Sequence, residues 1–517
     1  MANKQLFKSF VGKLIPQTDT TNEAGGKAYK LSEKQALAQF AVTGTFNQTY
    51  YSKAEDQLSE VTSLVGKVDA EFIAKLALYS RRKAHMKDLP AYLLAVLSIK
   101  DGELLETVFD RVLTNSKMIR NFVQIMRSGA TGRKSLGSRP KRLIKKWLKE
   151  RSDKELLAAS IGNDPSLADI IKMVHPKPES ATRKAMYAYL IGKEYDAEKL
   201  PEIVHQYEAF KKGEGKIPDV PFQLLTSLNL TEDNWCSIAE NAPWQMTRMN
   251  LNTFARHGVF KHKGLIAKVS RRLKDHQLIK KARVFPYQLM MAWKTTNVGV
   301  PQKINDALHE AMEIAVKNVP AFKGKVHVLV DVSGSMSCSV TGWNATGPSS
   351  KVRCVDAASL LAAAVLRNNP DAQIIPFDTK AVSLKLNRYD SVMTNAEKLA
   401  NVCGGGTDCS APLRALNKDR AESDLLIMIS DNESWAGQTH SRGTNMMNEW
   451  RKFKFRNPQA KMVCIDIQPY ANSQMKDDTD ILNIGGFSDQ VFEVIKTFHQ
   501  EGFKSQAFIE RIEREKL

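Results

Sequence analysis

Between residues 30 and 318 the apolar positions recur at helical spacing and seldom alternate. Phe72, Ile73, Leu76 and Tyr79 fall at i, i+1, i+4 and i+7, one stripe of a helix. Asp88-Leu-Pro90 opens another helix, with Asp88 as its cap and the proline in the first turn, where a missing N–H costs little. Ser138-Arg-Pro140 repeats that opening ahead of Leu143, Ile144, Trp147 and Leu148. β-branched alternating runs are nearly absent, so this part reads as an α-solenoid or irregular bundle, without a clean repeat period. Residues 213–218, rich in glycine, form its clearest internal loop.

The pattern changes after Pro320. Residues 326–330, 374–377, 425–429 and 462–467 are short, mainly apolar runs that read as buried parallel strands. Helical segments at 355–367, 411–416 and 446–455 lie between them, and 492–498 and 508–513 read as closing helices. Strand–helix alternation of this kind predicts a doubly wound α/β domain. The expected organisation is therefore a helical domain over 1–320 and an α/β domain over 321–517.

Composition narrows the class. An apolar fraction of 43% and a charged fraction of 25% are those of a globular protein. No apolar run reaches the roughly 18 residues of a membrane span, and residues 1–8 lack the apolar core of a signal peptide. The six scattered cysteines form no CxxC pair and read as reduced thiols, so a cytoplasmic location is expected. The net charge of +19 is unevenly spread. Residues 1–320 hold 51 Lys+Arg against 33 Asp+Glu, a balance of +18; residues 321–517 hold 24 against 23, a balance of +1. One half is built to meet a polyanion and the other is not.

Candidate chemistry sits at the first strand's end. Asp331-Val-Ser333-Gly-Ser335 places a carboxylate and two hydroxyls on alternate residues, so all three oxygens can face one point. Hard oxygens with one formal charge suit Mg²⁺ or another divalent cation that keeps some of its waters. Thr407, in the loop Gly404-Gly-Gly-Thr407-Asp408, and Asp431, after the run 425–429, complete the set where open α/β sheets bind ligands. These five match a metal-ion-dependent adhesion site, the signature of the von Willebrand factor A fold, which this half resembles. In that family hydroxyls and carboxylates reach the metal directly or through water, and one position stays open for a partner's carboxylate. A catalytic metal fits less well: no histidine lies within the motifs, although Asp408 and Glu433 are near.

Basic segments point to the second function. Residues 111–150 carry 12 Lys/Arg and a single acid, Glu150; residues 251–294 carry 11 and a single acid, Asp275. Arg139, Lys141, Arg142, Lys145 and Lys146 surround a helix N-terminus, itself favourable to phosphate, with Arg133 and Lys134 on the approach. His175-Pro-Lys177-Pro178 follows an apolar helix, and Pro176 stops that helix at His175.

With DVSGSM, GGGTDCSAPL and SDNESWAG behind a basic helical half, the chain resembles the Ro ribonucleoprotein autoantigen family, which joins a TROVE domain to a von Willebrand factor A domain. Lys280-Lys-Ala-Arg283-Val-Phe-Pro286, Gly137 to Trp147, and Lys172-Met-Val-His175-Pro-Lys177 look like that family's recurring blocks. The resemblance spans about residues 25–500 and implies an α-helical ring of HEAT-like repeats followed by the doubly wound A domain. It further implies a non-catalytic protein that binds small structured Y-like RNAs on a basic outer surface and single-stranded 3′ ends of misfolded RNAs in a central cavity. An exoribonuclease, or another protein's carboxylate at the metal, is the implied protein partner. His175 matches the family's cavity histidine, and Lys141 and Arg142 match the basic helix start that meets RNA. Residues 158–164 carry no Lys or Arg where the family has basic residues, and Lys172 and Lys177 are the candidates to compensate. The competing readings are a divalent-cation-dependent protein-interaction module with RNA binding incidental, and a metal-dependent RNA hydrolase.

Overall fold

The computed structural model describes residues 15–517 apart from 44–45, 283–285, 345–346, 349–350, 438–441, 487–489 and 502–506. The segment 1–8 and the centre of the block at 283–285 lie outside the described residues. The chain divides into two compact units. One holds Asp69–Ala282 with Ala292–Leu308; the other holds the residues up to Val68 with His309–Arg514.

The first unit is helical, and no strand occurs among its described residues. Its helices start where polar side chains satisfy the orphan N–H groups of the first turn. Asp69 accepts from Phe72 N at 2.7 Å and opens Ala70–Arg82. Asp101 accepts from Glu103 N and Leu104 N, both at 3.0 Å, and opens Gly102–Val112. Phe72, Ile73, Leu76 and Tyr79 are all buried, as their spacing predicts. Asp88 is the first residue of Asp88–Lys100 rather than its cap, and its carboxylate accepts from Asn121 Nδ2 at 2.6 Å. That helix is buried on every side from Leu89 to Leu97, which is why it shows little amphipathic stripe. Phe109 and Phe122 meet edge to face beside it, with centroids 5.6 Å apart.

The second unit is built on strands. In chain order eight of them are Thr20–Thr21 (β1), Lys27–Lys30 (β2), Val326–Asp331 (β3), Gln373–Phe377 (β4), Leu425–Ser430 (β5), Lys461–Asp466 (β6), Asn472–Ser473 (β7) and Ile481–Gly485 (β8), and Trp343–Asn344 pairs separately with Gly347–Pro348. Five of them form a parallel sheet in the order β8-β6-β5-β3-β4. β3 and β5 are buried along their whole length, as apolar runs covered on both faces should be. From β3 the chain passes to one side to make β4, then returns to the other to make β5. The carboxyl ends of β3 and β5 therefore flank the point where strand order reverses, the place where such sheets leave a crevice.

One boundary between the compact units falls at Leu308, and the residues up to Val68 also group with the α/β core. β2 pairs antiparallel with β7, Tyr29 opposite Ser473, and β1 pairs with β2. The helix Glu33–Thr43 lies against β8 so closely that a Cβ on Gly485 would meet Gln39 Cα at 3.1 Å. A side chain at that position would push the helix back by a few tenths of an ångström.

Candidate metal site and basic cleft

All five expected metal-site residues lie in the second unit, at or beside the crevice between β3 and β5. Val330 pairs with Ile429, so Asp331 and Asp431 leave neighbouring strands at nearly the same level. Asp331 accepts from Ser333 N at 2.9 Å and from Ser430 Oγ at 2.5 Å. The Ser333 and Ser335 hydroxyls are 3.2 Å apart, brought together by the 3-10 turn Gly334–Ser337 rather than by the strand alternation expected from the sequence, since the strand ends at Asp331. The glycine loop is tied to this turn: Gly404 N donates to Val332 O at 2.7 Å, and Gly334 N to Gly405 O at 2.9 Å. Thr407 O in turn accepts from Trp435 N and Ala436 N at 3.1 and 3.0 Å, fastening the loop to the segment after Asp431.

The electrostatics of the site favour a positive charge there. Burial, then the neighbouring Asp431, push the Asp331 carboxyl up to about 7. Burial also raises Asp431, and Asp431 Oδ2 is buried with no hydrogen-bond partner among the described residues. Glu433 is raised by burial and then by Asp431, and its Oε1 is likewise unpartnered. Two buried carboxylates at one point disfavour each other's charge, and an orphaned buried oxygen is costly. A divalent cation fits this donor set: Asp331, Ser333, Ser335, Thr407 and Asp431 would hold it, and it would supply a Lewis-acidic grip on an incoming carboxylate. Asp408 is occupied elsewhere, accepting from Arg414 Nη2 at 2.6 Å and Ser410 N at 2.9 Å.

The expected RNA-binding residues lie in the helical unit. Gly137, at φ +73, leads into Ser138–Glu150, and this helix sorts its cations into two rows. Arg139, Arg142 and Lys146 face the helix Gly102–Val112: Arg142 Nη2 lies 2.6 Å and Arg139 Nε 4.0 Å from Glu106 Oε2, and Lys146 Nζ lies 3.2 Å from Asp110 Oδ2. Lys141, Lys145 and Lys149 form the second row at i, i+4 and i+8. Lys141 and Lys145 have no ion pair among the described residues, and Lys149 meets Glu179 at 2.5 Å. Lys134 is exposed on the approach, while Arg133 is half-buried with Nη1 3.4 Å from Ser98 O.

The second row borders a cleft of about 460 Å³ lined by Lys145, Lys149, His175, Lys177, Arg183 and Tyr187, among others. His175 ends the helix Leu167–Val174 in the left-handed conformation at φ +50, its N–H bonded to Ile171 O at 2.9 Å. That turn leaves the imidazole exposed at the cleft while Val174 stays buried. Lys172 is exposed on the same helix but does not line the cleft. Lys149 was not singled out in the sequence, although its i, i+4 spacing from Lys145 is a local signal; Arg183 and Tyr187, from Ala181–Ile191, carry no such signal. In the stretch 158–164, which lacks cations of its own, Arg120 donates to Ala159 O at 3.3 Å and to Ile161 O.

Comparisons with known proteins follow the same division. Residues 325–499 match the family model described as the Ro60 vWA domain. Over 96% of its length the chain is 24% identical to an RNA-binding protein RO60 of Deinococcus radiodurans, covering 99% of that protein. It is 25% identical to an RNA-binding protein RO60 of Caenorhabditis elegans over 44% of this chain and 36% of that one. The crystal structure of the Deinococcus radiodurans RO (RSR) protein superimposes with a TM-score of 0.63 at 20% identity, covering 91% of this chain and all of that one. The expected fold class, helical repeats followed by a von Willebrand factor A domain with a parallel central sheet, is the one this structure shares.

Proposed function

We propose, for a chain whose residues 325–499 belong with the Ro60 vWA domains and whose full length is similar to an RNA-binding protein, that it is a non-catalytic RNA-binding protein. The helical unit holds a small structured, Y-like RNA by its phosphates, and the cleft at His175 takes an unpaired nucleotide such as those of a single-stranded 3′ tail. The observation that carries this reading is the cleft itself: three lysines of the helix Ser138–Glu150, Lys177, a histidine turned outward and a further arginine converge on one concavity that holds a single acid, Glu179. Ammonium groups in such a row meet phosphates as point charges, and an exposed imidazole beside prolines offers a face for a base. Recognition of this kind reads shape and free ends rather than sequence.

A mobility-shift titration with a structured RNA bearing a single-stranded tail tests it. Lys145→Glu with Lys177→Glu abolishes the shift at moderate salt. Arg142→Glu, whose guanidinium is already balanced by Glu106, weakens it far less. Equal loss in both variants sinks the assignment of the cleft.

A second activity is favoured by the orphaned Asp431 Oδ2. A divalent cation, Mg²⁺ or similar, sits on Asp331, Ser333, Ser335, Thr407 and Asp431 and takes a protein partner's carboxylate, such as that of an exoribonuclease. The two activities reside on different units, so Asp331→Asn leaves RNA affinity unchanged.

A further inference from the structure

Beyond the turn Gly334–Ser337 the chain makes an excursion and returns at Cys354 to open the helix Cys354–Asn368. The outgoing and returning limbs pair antiparallel. Ser339 stands opposite Arg353, Val340 N donates to Val352 O at 2.9 Å, and Cys354 N donates to Cys338 O at 2.8 Å. Cys338 and Cys354 are therefore directly opposed, and their Sγ atoms lie 3.6 Å apart. Both side chains are buried, while their chain neighbours Ser337 and Arg353 reach solvent. The other four cysteines meet no second sulfur among the described residues. Cys403 Sγ donates to Ser333 O at 3.2 Å, and Cys409 Sγ touches Ser430 Oγ at 3.7 Å.

Positions opposed across a hydrogen-bonded site of an antiparallel pair hold their Cα atoms about 5.5 Å apart. A disulfide spans roughly 4.4–6.8 Å between Cα atoms. The backbone is thus already set for a bond, and the two sulfurs need only close from van der Waals contact. Gln468 steadies the frame: its Oε1 accepts from Cys338 Sγ at 3.4 Å, and its Nε2 donates to Ser339 O at 3.1 Å. Burial, then contact with Cys338, pushes the Cys354 thiol above its ordinary range, which makes the dithiol the resting form.

We propose that Cys338 and Cys354 are a modification site, a dithiol that a peroxide oxidises reversibly to a disulfide. One thiolate attacks a peroxide oxygen, the O–O bond breaks, and hydroxide leaves to give a sulfenic acid. The second thiolate attacks that sulfur, the S–O bond breaks, and hydroxide leaves again. The two hydroxides take up the two thiol protons, so two thiols and one hydrogen peroxide become a disulfide and two waters. A reducing dithiol reverses the step by exchange. The bond ties the segment directly after Ser335 to the first residue of a 15-residue helix. No sulfur is among the five donors expected at the cation, so the pair acts whether or not a cation is held there.

Peptide mapping of the full-length protein after treatment with hydrogen peroxide tests the proposal. Remaining thiols are alkylated in denaturant, and trypsin, cutting at Lys351 and Arg353, puts the two cysteines on separate peptides. Mass spectrometry then finds the two peptides joined, two hydrogens lighter than their sum. Alkylated thiols fall by two from the original six, and dithiothreitol restores all of them. Cys354→Ala removes the joined species and the paired loss; if that variant does not fold, the wild-type map decides alone. Six thiols persisting at a peroxide dose that converts the exposed Met249 to its sulfoxide overturns the proposal. Oxidation of Cys236 and Cys403 while Cys338 and Cys354 are still alkylated overturns it equally.

Discussion

Asp331 concentrates the chemistry of the α/β unit in one side chain. It is fully buried, it accepts from Ser333 N and Ser430 Oγ, and its neighbour across the crevice is a second buried carboxylate. Such a pair disfavours folding until a cation compensates it. Mg²⁺ in large excess over its dissociation constant is therefore expected to raise the thermal midpoint by about 5 °C or more, a stabilisation of order 3 kcal/mol. Ser333→Ala reduces that increment and EDTA removes it, which differential scanning calorimetry reads directly. His327 makes a separate prediction. Burial depresses its pKa below the ordinary 6.5, and Nδ1 lies 2.9 Å from Ser423 Oγ. The unfolded histidine takes up a proton that the folded one resists. Its contribution is thus complete above about pH 6.5 and declines as pH falls through that value. Replacing it with glutamine flattens the acid limb of a stability–pH profile measured by urea unfolding; an unchanged profile contradicts the assignment.

At the scale of elements, what the sequence disclosed depended on whether a segment's partners were local. β3, β5 and β6 were legible because strands buried on both faces are uninterrupted apolar runs. The helix Ser138–Glu150 was legible from its Ser-x-Pro start and its apolar spacing. β8 was missed because Asn483 breaks its apolar run, and that side chain instead donates to Met475 O at 2.8 Å. β1 and β2 were missed because what makes them strands is β7, more than 400 residues away. The five metal-site positions stood out as motifs, because each falls at a strand end or in the glycine loop. In the basic cleft, the cations of one helix could be counted, yet which row was neutralised depended on Glu106 and Asp110 from a different helix. The capping box of Leu167–Val174 is testable by itself: Ser166 Oγ and Asp169 Oδ2 satisfy each other's backbone N–H groups at 3.1 and 2.9 Å. Ser166→Ala costs about 1 kcal/mol of stability, measured by chemical denaturation. Because that eight-residue helix carries His175 on its last turn, RNA affinity falls with it.

At the scale of the molecule, charge is partitioned between the two activities. The balance of +18 over residues 1–320 against +1 over residues 321–517 supports the proposal that the polyanion meets the helical part and not the rim of the parallel sheet. Each lysine that contacts a phosphate of a single strand adds about −0.7 to the slope of log affinity against log salt. The decisive measurement is the salt dependence of binding to a tailed RNA, compared between the wild type and Lys145→Glu/Lys177→Glu. The slope becomes shallower by about 1.4 in the double variant, with Asp331→Asn indistinguishable from the wild type. A double variant with the wild-type slope and affinity, or an Asp331→Asn variant that loses RNA, contradicts RNA binding at the basic cleft.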